Sequence, residues 1–245
     1  MAARTSRVEQ LLGYLCDGLE PAAAEQCGPK LGDWLDGSKR FLAFAEAHRD
    51  KIRRKLRVAT EPGARDDVLA ELEAAFLLLA DRRIALEFEA YGSGRRGPDF
   101  SVTFRASHLF NLEVTRPRIS SDGAEAVIAR AVLAKVRQFP TGVANALLIA
   151  TPLAQSLEQL TETMRTLKQR ADGGDAPYFS SRGLTLDEFQ SHYRRMSVVF
   201  VASDARPGVF AWTNPEARMR LPDGAANACL TCLEMPRPRS DGEGC

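Results

Sequence analysis

Cysteine is scarce and unevenly placed: Cys16, Cys27, Cys229, Cys232 and Cys245 are the five present. An odd count with wide scatter excludes a disulfide framework of the secreted kind and points to reduced thiols. Cys229 and Cys232 form one close pair, but no second pair or neighbouring histidine completes a tetrahedral zinc site. Histidine is scarcer still, and His48, His108 and His192 lie too far apart in sequence to suggest a ligand set. Long apolar runs are missing as well. Stretches such as Ala74 to Ala80 and Val143 to Ala150 fall far short of the roughly 20 residues that span a bilayer, so no membrane partner is expected. The N-terminus leads into a charged amphipathic stretch rather than an apolar signal core, and a cytoplasmic location is the expectation. Net charge is only +1, so the chain as a whole makes no electrostatic claim on nucleic acid. No internal repeat is visible.

What remains is a 245-residue chain, 44% hydrophobic and 27% charged, able to bury a core. Its charge is locally concentrated. From His48 to Arg57 six Lys/Arg stand against one Asp, a run that suits phosphate contacts or, equally, an ordinary solvated helix face. Arg95 and Arg96 precede Pro98-Asp99, and Arg116 and Arg118 follow Glu113.

Helical spacing of apolar residues marks 7–19 and 33–56, and an almost wholly apolar helix, expected to be buried against a sheet, runs from Val68 to Arg82 after a cap at Asp66-Asp67. Three strands follow at 84–91, 99–104 and 109–116. A helix is expected over 122–139, a strand over 145–151, helices over 152–171 and 186–195, and strands over 197–202 and 209–212. This order implies an α/β fold around a mixed central sheet flanked by helices, with a helical N-terminal extension. The expected divisions are 1–60 for the extension, 61–220 for the core and 221–245 for a poorly ordered tail.

The second and third strands carry the chemistry. Asp99, Ser101 and Thr103 alternate with Phe100, Val102 and Phe104; Asn111, Glu113 and Thr115 alternate with Phe110, Leu112 and Val114. Alternation gives each strand one polar and one apolar face, with Asp99 and Glu113 both in the polar set. In a hairpin through 105–108, one register sets Asp99 directly across from Glu113 and the next sets it across from Thr115 with Glu113 on the diagonal. Cross-strand neighbours are about 5 Å apart and diagonals about 7–8 Å, so both carboxylates reach one cation either way. Like charges that close repel unless a proton or a divalent cation is shared. Mg²⁺ suits such a pair, since it takes few carboxylate oxygens and keeps several waters. The plain alternative is a solvent-facing hairpin with a polar side.

Pro98-Asp99 and Glu113-Val114, with a Glu-bearing helix upstream and a Lys/Gln-bearing helix downstream, resemble the PD-(D/E)XK nuclease superfamily over about 66–151. The resemblance implies a restriction-endonuclease-like sheet and Mg²⁺-dependent cleavage of nucleic acid, with DNA the expected substrate and Mn²⁺ an acceptable substitute. It implies Asp99 and Glu113 as metal ligands and Glu71, or Glu73 beside it, as a support from the first core helix. A Glu in so apolar a helix also calls for a partner on its own account. Lys135 and Gln138 match the helix that lines the nucleic-acid side, and Arg96, Arg116 and Arg118 would contact the backbone. The departure is Thr115, which stands where the motif has lysine; Arg116 points to the opposite face unless a bulge intervenes. Lys135 would then have to reach the site from the next helix. If it does not, the alternative is a catalytically inactive nucleic-acid-binding or protein-interaction module on the same fold. A second copy or a protein partner would use the N-terminal helices.

Overall fold

Residues 2–91, 97–118, 124–203 and 208–235 are described by the computed structural model. Two compact units emerge, one formed from the first 82 residues and one spanning Arg83–Glu234. The division therefore falls later than residue 60, and the apolar helix assigned to the core belongs to the first unit.

That unit holds helices α1 (Ala2–Cys16), α2 (Pro21–Gly37), α3 (Lys39–Ala47), α4 (Arg49–Val58) and α5 (Pro62–Leu78). The single helix expected over 33–56 is cut twice. Ser38 leaves the helical region at φ −134°, ψ 116°, and its hydroxyl accepts from Phe41 N at 3.1 Å to cap α3. His48 makes the second break. α5 starts at Pro62 rather than at Asp66-Asp67, because a proline in the first turn gives up an N–H that has no helical partner anyway. Asp66 is used otherwise, accepting from Gln26 Nε2 at 2.9 Å. Trp34, Phe41, Phe44 and Phe76 stack edge and face to fill the space among α2, α3 and α5.

The second unit is built on six strands, β1 (Ile84–Phe88), β2 (Phe100–Phe104), β3 (His108–Thr115), β4 (Ala144–Thr151), β5 (Met196–Ser203) and β6 (Val209–Thr213), lying side by side in chain order. The outer pairings β1–β2, β2–β3 and β5–β6 are antiparallel, and β3–β4–β5 are parallel. Parallel neighbours need crossover connections. The first is α6 (Ala124–Lys135) with a 3-10 turn at Val136–Gln138; the second comprises α7 (Leu157–Asp172), α8 (Ala176–Ser180) and α9 (Leu186–Tyr193). β5 is buried along its whole length and β4 along nearly all of it, as interior parallel strands are.

One face of the sheet, through Leu147, Ile149, Val199 and Val201, packs on Ile128, Val132, Leu160, Met164, Phe179 and Phe189 from the crossover helices. The other receives a helix where a loose tail was expected, α10 (Asp223–Leu233), lying against β5 and β6. A Cβ at Gly224 would stand 3.6 Å from the Phe104 ring. The cause of α10 is a stripe the surrounding Pro, Gly and Arg obscured: Ala225, Ala228, Cys229, Cys232 and Leu233 recur at helical spacing and are buried. The close cysteine pair is two apolar thiols of that stripe.

β2 and β3 pair with Ser101 across from Asn111 and Phe100 across from Leu112. Continued by one residue, this register brings Asp99 level with Glu113.

Candidate functional site

Asp99 stands just before β2, where its carbonyl accepts from Glu89 N at 2.8 Å and extends the ladder with β1. Its side chain turns toward β3, and Oδ2 accepts from Val114 N at 2.9 Å. The carboxylate is thereby fixed to the backbone one residue beyond Glu113. Glu113 itself lies in β3 with a side chain 1% exposed. A carboxylate so buried is costly unless its oxygens are satisfied. Lys135 supplies the charge from the last turn of α6, with Nζ 2.6 Å from Glu113 Oε1. Gln138, with its amide nitrogen turned to Glu113, reaches both oxygens, Oε2 at 2.7 Å and also Oε1, which it shares with Lys135. The sheet and the first crossover thus bring together Glu113, Lys135 and Gln138, with Asp99 held at the backbone of the next residue, Val114. Gln138, expected on the nucleic-acid side, is a hydrogen-bond partner of Glu113. Thr115 lies half-buried across from Ile149, and a cation beside Glu113 comes from α6.

Beneath the carboxylates runs a polar chain that the sequence did not reveal. Asn111, fully buried, donates to Asn145 Oδ1 at 2.9 Å. Its own Oδ1 accepts from the hydroxyls of Tyr91 at 3.2 Å and Ser101 at 3.3 Å. Asn145 Nδ2 lies 2.9–3.1 Å from the carbonyls of Pro140, Val143 and Arg195, and its backbone N donates to Ser197 Oγ at 2.9 Å. The chain thus ties β2, β3, β4 and β5 together one pleat below Glu113. A signal existed: Asn145 is polar in an apolar run, and its partner Asn111 is the residue opposite it in the parallel register.

Other expected residues have surroundings of their own. Glu71 is buried in α5 and finds the partner its burial required in Lys55 of α4, 2.5 Å away. In the same basic run, Arg53 pairs with Asp17 and lies over the Tyr14 ring at 4.4 Å, and Arg57 donates to the Asp17 carbonyl at 2.8 Å. Much of that run is therefore engaged inside the first unit. Arg116 is half-buried and Arg118 exposed on the segment leaving β3; Arg96 lies outside the described residues. His48 and His192 sit at helix ends, and His108 is exposed at the start of β3.

Two carboxylates, Asp99 just before β2 with Oδ2 engaged by the Val114 N–H and Glu113 in β3, would offer Mg²⁺ the small number of ligands it accepts with water completing its shell. The fit carries a condition, since both oxygens of Glu113 already receive protein hydrogen bonds. Among the described residues no group of three His, Cys, Asp or Glu side chains is placed to hold an ion. Comparison with protein-family profiles, with curated proteins and with solved structures gives no match for this chain.

Proposed function

We propose that the chain is a Mg²⁺-dependent nuclease of restriction-endonuclease-like fold that hydrolyses phosphodiester bonds in DNA. The observation carrying this reading is the Lys135 ammonium 2.6 Å from the buried Glu113 carboxylate, which supplies from α6 the positive charge missing at Thr115. The order of elements supports it: a helix, three antiparallel strands, a helix, and a strand parallel to the third. Asp99 and Glu113 would hold Mg²⁺, or Mn²⁺ in its place. When bound, the ion would lower the pKa of an attacking water and stabilise charge developing on the phosphate. Lys135 neutralises the scissile phosphate or holds the nucleophilic water, Gln138 fixes the Glu113 carboxylate, and Asn111 with Asn145 sets the strands that carry the acids. Arg116 and Arg118 offer charge to the backbone. Glu71, held by Lys55, is not part of the proposed set. Cleavage of DNA and of RNA substrates with and without Mg²⁺, in the parent chain and in Asp99→Ala, tests the reading.

A second reading rests on the satisfaction of both Glu113 oxygens, which is also what a purely structural ion pair shows. The chain would then be a non-catalytic binding module. Nucleic-acid binding indifferent to Mg²⁺ and to Asp99→Ala would favour it.

A further inference from the structure

Two donors on Glu113, Lys135 and Gln138, differ in kind. Lys135 is charged, sits on a flexible stem in the last turn of α6 and is 27% exposed at its side chain, so water reaches it. Gln138 is neutral and belongs to the 3-10 turn that follows, anchored by the buried Val136 and by Arg137, whose Nη2 donates to Glu188 Oε2 at 2.7 Å. A divalent cation on Glu113 would lie about 2.0–2.1 Å from its oxygen. An ammonium 2.6 Å from Oε1 claims the same charge and much of the same space. The two cations repel, and the low-dielectric surroundings of a carboxylate 1% exposed strengthen that repulsion.

We propose that Lys135 is an exchangeable resident cation. It neutralises Glu113 until a divalent metal arrives, then leaves Oε1 and turns toward the incoming phosphate, while Gln138 keeps hold of the carboxylate in both states. Lys135 is thus a positioning residue for metal entry as well as a charge for the substrate. This inference rests on the nuclease reading above. Its consequence is a split that an ordinary structural ion pair does not produce: removing the ammonium tightens metal binding and weakens cleavage. Competition between two cations is a coupling free energy and therefore reciprocal, so bound metal must also loosen Lys135.

Mn²⁺ binding is measured by calorimetry without nucleic acid on the parent chain, Lys135→Met, Lys135→Arg and Glu113→Gln, with thermal melts confirming the fold. Lys135→Met is expected to bind Mn²⁺ on the order of tenfold more tightly and to cleave more slowly, Lys135→Arg to show no gain, and Glu113→Gln to lose binding. On the parent chain, acylation of the Lys135 amine, read by mass spectrometry, is expected to rise several-fold with Mn²⁺; this arm needs no variant to fold. Equal or weaker binding by a folded Lys135→Met, or acylation indifferent to bound Mn²⁺, overturns the exchange and leaves the nuclease reading standing. No Mn²⁺ binding by the parent chain or by Lys135→Met removes the metal reading itself, and the exchange with it.

Discussion

Glu113 places a carboxyl group in the interior, its side chain 1% exposed, and the groups around it decide whether it is available for chemistry. In the nuclease reading, loss of the Lys135 ammonium removes a positioned charge from the transition state, and Lys135→Met should lower kcat by about 100-fold or more. Thr115 lies two residues beyond Glu113 on the same side of β3. Thr115→Lys placed in the Lys135→Met background should therefore recover part of the lost rate, measured under single-turnover conditions; no recovery would mean that the strand position does not reach the phosphate. Asn111→Ala tests the polar chain below. It leaves Asn145 Oδ1 and the Tyr91 and Ser101 hydroxyls without their partner, and urea unfolding should show a loss of about 1–3 kcal/mol. At this scale the sequence was informative wherever one strand's alternation sufficed, as for Asp99 and Glu113. The partners of Asn145 were not legible, because they come from β3 and from the carbonyls of Pro140, Val143 and Arg195, through a register no local pattern announces.

Among elements, the turn carrying Gln138 is held from outside by α9. Thr185 and Glu188 form a capping box, in which Glu188 N donates to Thr185 Oγ1 at 3.1 Å and Thr185 N donates to Glu188 Oε2 at 2.8 Å. The Thr185 N–H, and next to it Arg137, hold the Glu188 carboxyl down from the ordinary 4.5 to about 2. A depressed carboxyl contributes stability above its unfolded value and loses it as pH falls through the folded one. Thermal melts should therefore show part of the parent chain's acid sensitivity between about pH 4.5 and about pH 2, and Glu188→Gln should flatten the profile in that window. An unchanged slope would contradict the assignment. α10 offers a second test. Truncation after Leu221 removes five buried side chains from the sheet and should lower the thermal midpoint by about 10 °C or more. That helix was readable as a stripe, yet composition hid it, just as hydrophobic periodicity hid the breaks at Ser38 and His48, where caps and backbone conformation decide.

For the whole molecule, the acids, the lysine and the glutamine all belong to the unit spanning Arg83–Glu234, so the proposed chemistry needs only that unit's own geometry. The mixed sheet and the helical N-terminal part were readable because the hydrophobic period changes from helix to strand near Ile84. The boundary between units was not, because a helix as apolar as α5 reads as the start of a sheet domain, although it also packs on α2 and α4. The central claim is that Asp99 and Glu113 hold a metal that cleaves nucleic acid with Lys135. Its most direct test is the rate of DNA cleavage against Mg²⁺ concentration for the parent chain, Asp99→Asn and Glu113→Gln. The account predicts saturable cleavage that needs Mg²⁺ in the parent chain and none in either variant. Cleavage that persists without a divalent ion or in both variants, or no cleavage by the folded parent chain of any DNA or RNA substrate, would contradict it.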